Sequence, residues 1–194
     1  MKATARSLAA VEVEMRRTWI KAALSLLLAA SSSGCRVSRL FDLGRDVEVD
    51  ESHGQSVGLE LSLDLAESAT LRAAHPGDLA ALSLDSAELT VTQVDTSSGS
   101  NDVQSVSGEL RLRPDGAADS ARDLVVGRFR GLQLRPGTTV HLPGTPETSA
   151  LLFSAHNGNG RFKAAVDLDL EGGRAAHVVF WIALHASADY DVGP

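Results

Sequence analysis

Apolar and polar residues alternate with a period of two over several stretches of the chain, most clearly from Val57. Val57, Leu59, Leu61, Leu63 and Leu65 are separated by Gly58, Glu60, Ser62 and Asp64, the spacing of a strand with one buried and one wet face. A second strand is predicted from about Ala87 to Val94, with Ala87, Leu89 and Val91 on one side and Glu88, Thr90 and Thr92 on the other. Ser, Gly and Asn crowd the stretch from Thr96 to Asp102. That is turn chemistry, and it predicts that the next strand, about Val103 to Arg113, returns antiparallel. Leu124 to Leu134 supplies another strand with arginines interleaved, and Pro136-Gly137 turns it into Thr138 to Leu142.

The last third is the most regular. Ala164, Val166, Leu168 and Leu170 alternate with Asp167, Asp169 and Glu171. Gly172-Gly173 follows, and then Arg174 to Ala188 runs back. Two glycines between alternating runs predict a tight hairpin, because the favoured two-residue turns need positive φ. The returning strand carries Val178, Phe180, Ile182 and Leu184 on one side and Val179, Trp181 and Ala183 on the other, which predicts cover on both faces along its middle. Two segments fit the scheme less simply. Residues 66–81, broken by His75-Pro76-Gly77, read as a loop with a short helical turn over Glu67 to Ala74. Thr145-Pro146 can cap a helix reaching Ser154, while Leu151-Leu152-Phe153 would equally suit a strand.

These elements predict an all-β chain, an antiparallel β-sandwich of about seven strands, with no repeat at a fixed period. The core must be built mainly of Leu, Val and Ala, since aromatic residues make up only 4% of the chain.

The start of the chain follows another pattern. Arg16, Arg17 and Lys21 precede the nine-residue run Ala22 to Ala30, in which Ser25 is the only polar residue, and small residues continue to Gly34. Basic stem, apolar core and small-residue cleavage region are the parts of a secretory signal. The run is too short for a membrane-spanning helix, which needs roughly 20 apolar residues. The expected organisation is a signal peptide over 1–34, with Met15 offering an alternative start, a tether over 35–55, and a sandwich domain over 56–194. Within the tether a short edge strand is predicted at Val47 to Val49.

Cys35 is the single cysteine, so it cannot form an internal disulfide and is left as a free thiol, an intermolecular bridge or a modified residue. Ser33-Gly34-Cys35 resembles the lipobox of bacterial lipoproteins, although Ser32 stands where that family prefers leucine. The resemblance implies a diacylglycerol thioether on Cys35, cleavage before it and acylation of the new amino terminus. Two or three acyl chains suffice for stable anchoring, which a single chain does not give. Arg36 occupies the position where that family uses Asp to retain a protein at the inner membrane, so the resemblance leans toward the outer membrane. Arg16-Arg17-Thr18-Trp19-Ile20-Lys21 is also similar to the twin-arginine export motif. The mature region, with Leu84-Asp85-Ser86-Ala87-Glu88-Leu89 and its long final pair of strands, looks like small sandwich lipoproteins of unassigned function from Gram-negative bacteria.

From Cys35 to Pro194 there are 13 basic and 23 acidic residues, a formal charge of −10. An acidic surface argues against nucleic-acid partners, which want a basic face. Asp167, Asp169, Glu171 and Gly172 match positions one, three, five and six of a calcium loop, but its twelfth position is Val178 rather than Glu. The acids are better read as the wet side of a strand. His177 and His185 share the Trp181 side of the last strand, about 26 Å apart at 3.3 Å per residue, too far to ligate one ion. No His-x-His, His-x-x-x-His or Cys-x-x-Cys spacing, Gly-x-Ser-x-Gly elbow or Gly-Lys-Ser/Thr phosphate loop occurs.

The sequence therefore predicts a non-catalytic envelope lipoprotein with no cofactor and no metal. It would be tied to the membrane through Cys35 and act as a binding or structural module toward an envelope protein or a glycan. The alternative is a secreted or periplasmic hydrolase with a site assembled from loops.

Overall fold

The computed structural model describes residues 35–51, 55–73, 78–95, 97, 101–116 and 123–192. The signal segment 1–34 and the proline turn at His75 lie outside them. Eight strands are described: β1 Cys35–Glu51, β2 Ser56–Asp64, β3 Leu79–Val94, β4 Ser105–Pro114, β5 Leu124–Gln133, β6 Thr139–Pro143, β7 Arg161–Glu171 and β8 Ala176–Val192. The helices are α1 Ala69–Arg72, after a 3-10 turn at Leu65–Glu67, and α2 Pro146–Asn157. The described residues fall into one unit over Ser38–Tyr190 and another that holds residues 35–37 and 191–192. Within the terminal unit, Arg36 Nε lies 3.3 Å from an Asp191 carboxylate oxygen.

The strands form two four-stranded sheets, ordered β1-β8-β3-β6 and β2-β7-β4-β5. β2–β7, β3–β6, β3–β8, β4–β5 and β4–β7 all pair antiparallel. The predicted all-β antiparallel sandwich is thus the observed architecture, with one strand more than the seven or so expected. Only β4 and β5 are consecutive in sequence and adjacent in one sheet. All other connections cross between sheets, and this is the strand order of a jelly roll.

That order corrects two expectations. Gly172-Gly173 does not close a hairpin: β7 pairs with β2 and β4, whereas β8 pairs with β3 and neighbours β1. Gly172 takes φ 85° as a tight turn requires, but Asp102 redirects the chain by accepting N–H bonds from Arg174 (2.7 Å) and Ala175 (2.6 Å). Gly173 leaves room for this, since an added Cβ would overlap Asp102. Likewise β4 does not return beside β3. It crosses to the other sheet, because turn chemistry fixes a reversal of direction and not the identity of the neighbour.

The tether is also corrected. Residues 35–51 are an edge strand, with Phe41, Leu43 and Val49 at 6%, 5% and 1% exposure. Charged residues on the exposed side hide this strand in the sequence, and they suit an edge that must resist pairing with other chains.

Between the sheets lie Phe162, Phe180, Leu112, Leu168, Ile182 and Leu184, each at most 2% exposed. The β7 alternation places Phe162, Ala164, Val166 and Leu168 inward, and Lys163, Asp167 and Asp169 outward. On β5 the inward residues are Val126, Phe129 and Leu132, three apart instead of two. The two register shifts between β4 and β5 absorb the extra residues. The larger apolar residues of β8, Val178, Phe180, Ile182 and Leu184, fill the inner face, and on the other face Ala183 is buried at 4%. Trp181 looks outward at 38% exposure, so of the expected cover on both faces Ala183 has it, Val179 is half-buried and Trp181 lacks it.

The ambiguous segment at 145–154 is helical. Thr145 is the N-cap and Pro146 starts α2, where its missing N–H costs nothing. Thr148 completes a capping box with Thr145 and is fully buried. Leu151 and Leu152 bury the inner side of the helix.

Candidate functional site

The outward face of β2-β7-β4-β5 is a lattice of ion pairs. Asp123, with a side chain 2% exposed, accepts from Arg113 Nε at 2.5 Å and Nη2 at 2.8 Å, with Arg111 Nη1 at 3.5 Å. These hydrogen bonds hold its carboxyl below the usual carboxylate range against the opposing effect of burial. Arg113 also reaches Glu60 at 2.9 Å, and Glu60 takes a bond from Lys163 that lowers its pKa too. Arg111 pairs with Glu109 and Asp167, and Arg128 with Glu109. Glu171 accepts from the hydroxyls of Ser107 and Ser105, which depress its pKa. Asp167, Asp169 and Glu171 therefore line the wet side of β7, and the calcium-loop spacing is a coincidence of strand alternation. Glu60, Glu109, Arg111, Arg113, Asp123, Arg128, Lys163 and Asp167 all have partners within this lattice, which serves the fold.

A cleft of about 780 Å³ lies where α2 meets the ends of β4, β5 and β7, with Leu124, Leu151 and Ala155 on its walls. Its polar rim is committed to local structure. Asp115 accepts from Asn159 at 2.8 Å, and Arg161 faces Asp64 at 3.4 Å. Glu147 is held below its ordinary pKa by its own backbone N–H and the Thr145 hydroxyl.

The outward face of β1-β8-β3-β6 is different in kind. His185 on β8 stands between two carboxylates, with Nδ1 2.7 Å from Asp42 of β1 and Nε2 3.6 Å from Glu88 of β3. Glu88 in turn lies 3.4 Å from Nδ1 of His141 on β6. The row Asp42, His185, Glu88, His141 thus takes one residue from each strand of the sheet. The register explains half of it, because Glu88 is directly opposite His141. Farther along β8, His177 pairs with Asp50 at 2.8 Å.

Trp181 lies midway between these histidines, four residues from each, about 13 Å at strand rise. It is opposite Thr90, whose hydroxyl is 2.8 Å from that of Thr139 and donates at 2.8 Å to Glu88. The indole rests on Gly44 of β1. An added Cβ there would overlap Cζ2 and lie 2.9 Å from Cε2. The indole thus lies over Gly44, and Trp181 keeps 38% of its surface exposed.

His177 and His185 share the Trp181 side, as their spacing predicts, and remain at opposite ends of it. Sequence reasoning missed Glu88 and His141, which join His185 only through the pairing of β6 with β3. The alternation of β3 does put Glu88 on its polar side, but nothing in the local sequence says which strand lies alongside. The two ring nitrogens of His185 face carboxylates rather than a serine hydroxyl, on an open sheet instead of in a cleft. Among the described residues no three His, Cys, Asp or Glu side chains are grouped to hold one metal ion, and no helix is long and apolar enough to cross a membrane. Cys35 is the first residue of β1.

No protein-family model matches the chain, and no curated protein matches it. Solved structures similar to it include the decameric BFDV capsid protein, with a TM-score of 0.43, 9% identity, and coverage of 78% of this chain and 99% of that one. The cyanophage Pam1 capsid follows at 0.38 and 10%, covering 77% and 85%, and tobacco necrosis virus at 0.35 and 9%, covering 78% and 95%. The likeness is one of strand arrangement and carries no functional conclusion.

Proposed function

We propose that this chain is a non-catalytic lipoprotein of the cell envelope, anchored through acyl chains on Cys35 and working as a binding module. The outward face of β1-β8-β3-β6 is its binding surface. The observation that carries the anchor is the placement of the lone cysteine, behind a basic stem, an apolar run and small residues. The sandwich needs no disulfide, since a chain of about 150 residues buries enough surface to be stable alone, so Cys35 has no structural bond to make. Arg36 in place of Asp favours the outer membrane over the inner one. The acidic balance turns the protein away from nucleic acid and toward an envelope protein or a glycan.

The test is the intact mass of the membrane-extracted protein, native and Cys35→Ala, from a Gram-negative host. A chain beginning at Cys35 with the mass of two or three acyl chains, absent in the variant, is the expected result. An unmodified chain cut elsewhere, or one still carrying Met15, removes the anchor.

A further inference from the structure

We infer that the outward face of β1-β8-β3-β6 binds a neutral saccharide chain, with a sugar ring stacked on Trp181; this deepens the binding reading above and rests on it. Among the described residues Trp181 is the one aromatic side chain among the exposed large apolar ones, and its indole lies over Gly44. Gly44 is the enabling residue, because any side chain at that position would lift the indole off β1. The face of an indole is electron-rich, the counterpart of the C–H face of a pyranose, and 38% of Trp181 is open to such a partner.

The groups around the ring complete the match. A sugar has a rim of hydroxyls that both donate and accept. Here the carboxylates of Glu88, Asp42 and Asp50 accept, and the hydroxyl pair Thr90 and Thr139 and the imidazoles do both. They lie beside the ring and at both ends of the β8 strip, about 26 Å long by strand rise, which gives room for several linked rings. Charge narrows the class further. Three carboxylates on the strip repel uronic or phosphorylated sugars, leaving neutral ones.

A protein partner would look for a compact apolar centre ringed by polar residues. Leu40 is the other exposed apolar side chain on this side of β1, at 76% exposure. It stands four residues from Gly44, about 13 Å along the strand, so the two apolar groups form no common patch.

The experiment titrates the full mature protein, in detergent, with cellotetraose, tetra-N-acetylchitotetraose and tetragalacturonate, following tryptophan emission. Trp181 is the only tryptophan after Cys35, so the signal reports this ring alone. At least one neutral tetrasaccharide is expected to shift the emission to the blue and to saturate by about 10 mM, with tetragalacturonate at least about tenfold weaker. By saturation-transfer NMR, Trp181→Ala lowers affinity for the neutral sugar at least about tenfold. Glu88→Gln keeps the ring and the fold and weakens binding severalfold. A neutral sugar that binds Trp181→Ala as well as the native protein, or no response to either neutral sugar, overturns the inference.

A photo-crosslinking residue at Thr92, introduced in the native host, separates the two levels. Capture of one envelope protein at that position without sugar binding retires the saccharide and leaves the binding face standing. Neither capture nor sugar binding retires both.

Discussion

Asp123 is a carboxylate with a side chain 2% exposed, and it stays ionised because Arg113 clamps it with two hydrogen bonds while Arg111 lends charge from 3.5 Å. Burial opposes ionisation here and loses, so its pKa lies below the ordinary carboxylate value. A group whose pKa is lowered by folding adds stability above its unfolded pKa, near 3.9 for Asp, and that stability disappears as pH falls through the folded value. Asp123→Ala removes the clamp while Arg113 keeps Glu60 and Arg111 keeps Glu109 and Asp167, and the lost charged hydrogen bonds are expected to cost about 1.5–3 kcal/mol at pH 7. The variant's urea midpoint should then fall less than the native one between pH 5 and pH 3, a window set by that unfolded pKa of about 3.9. An unchanged pH profile would show that the clamp does not govern acid stability. Glu60, Glu171 and Asp102 are depressed in the same direction and add to the acid lability that remains. At Gly44 the physics is steric. Gly44→Val drives a side chain into Cζ2 of Trp181, with an expected loss of about 1–3 kcal/mol and a red shift of tryptophan emission as the indole swings into water.

At the scale of elements, α2 shows how a few polar atoms decide what an apolar pattern leaves open. Leu151-Leu152-Phe153 fits helix or strand. The reciprocal bonds of Thr145 and Thr148, the latter fully buried, choose the helix. Thr145→Ala removes the acceptor for the Thr148 N–H and should cost about 1 kcal/mol, read as a lowered melting temperature with the outward faces of both sheets unchanged. The alternation that identifies β2, β7 and β8 is equally local and was legible in the sequence, because it reports which residues share a face. It is silent on partnership. The Gly172-Gly173 turn looks like a hairpin and is a crossing, since the residue that diverts it, Asp102, lies about 70 residues earlier in the chain. The same limit applies to the candidate site. The common side of His177, Trp181 and His185 follows from period two, whereas Glu88 and His141 meet His185 only once β3 is placed between β8 and β6. Edge strand β1 was hidden for a different reason. Only one side of it is buried, so its apolar residues, Phe41, Leu43 and Val49, are sparse and its charges dominate the composition.

For the whole molecule, the consequence of β1 is that the stretch from Ser38 to Glu51 belongs to the folded sandwich. A spacer can be shortened freely, but β1 covers the flank of β8, the strand that carries Trp181. Burying Phe41, Leu43 and Val49 contributes about 1.5–3 kcal/mol each, or roughly 5–9 kcal/mol together. The net stability of a domain is about 5–15 kcal/mol, so removing β1 consumes most or all of it. It also uncovers the edge of an apolar strand, a template for aggregation. A chain beginning at Ser38 should therefore give a cooperative thermal transition and a monomeric elution profile. One beginning at Ser56 should be unfolded or aggregated, by circular dichroism and size-exclusion chromatography. If the shorter chain folded with native-like cooperativity, β1 would be a dispensable appendage and the sandwich proper would start at β2. If it fails while the chain from Ser38 folds, residues 38–55 belong to the cooperative unit, and the sandwich needs its edge strand to be stable.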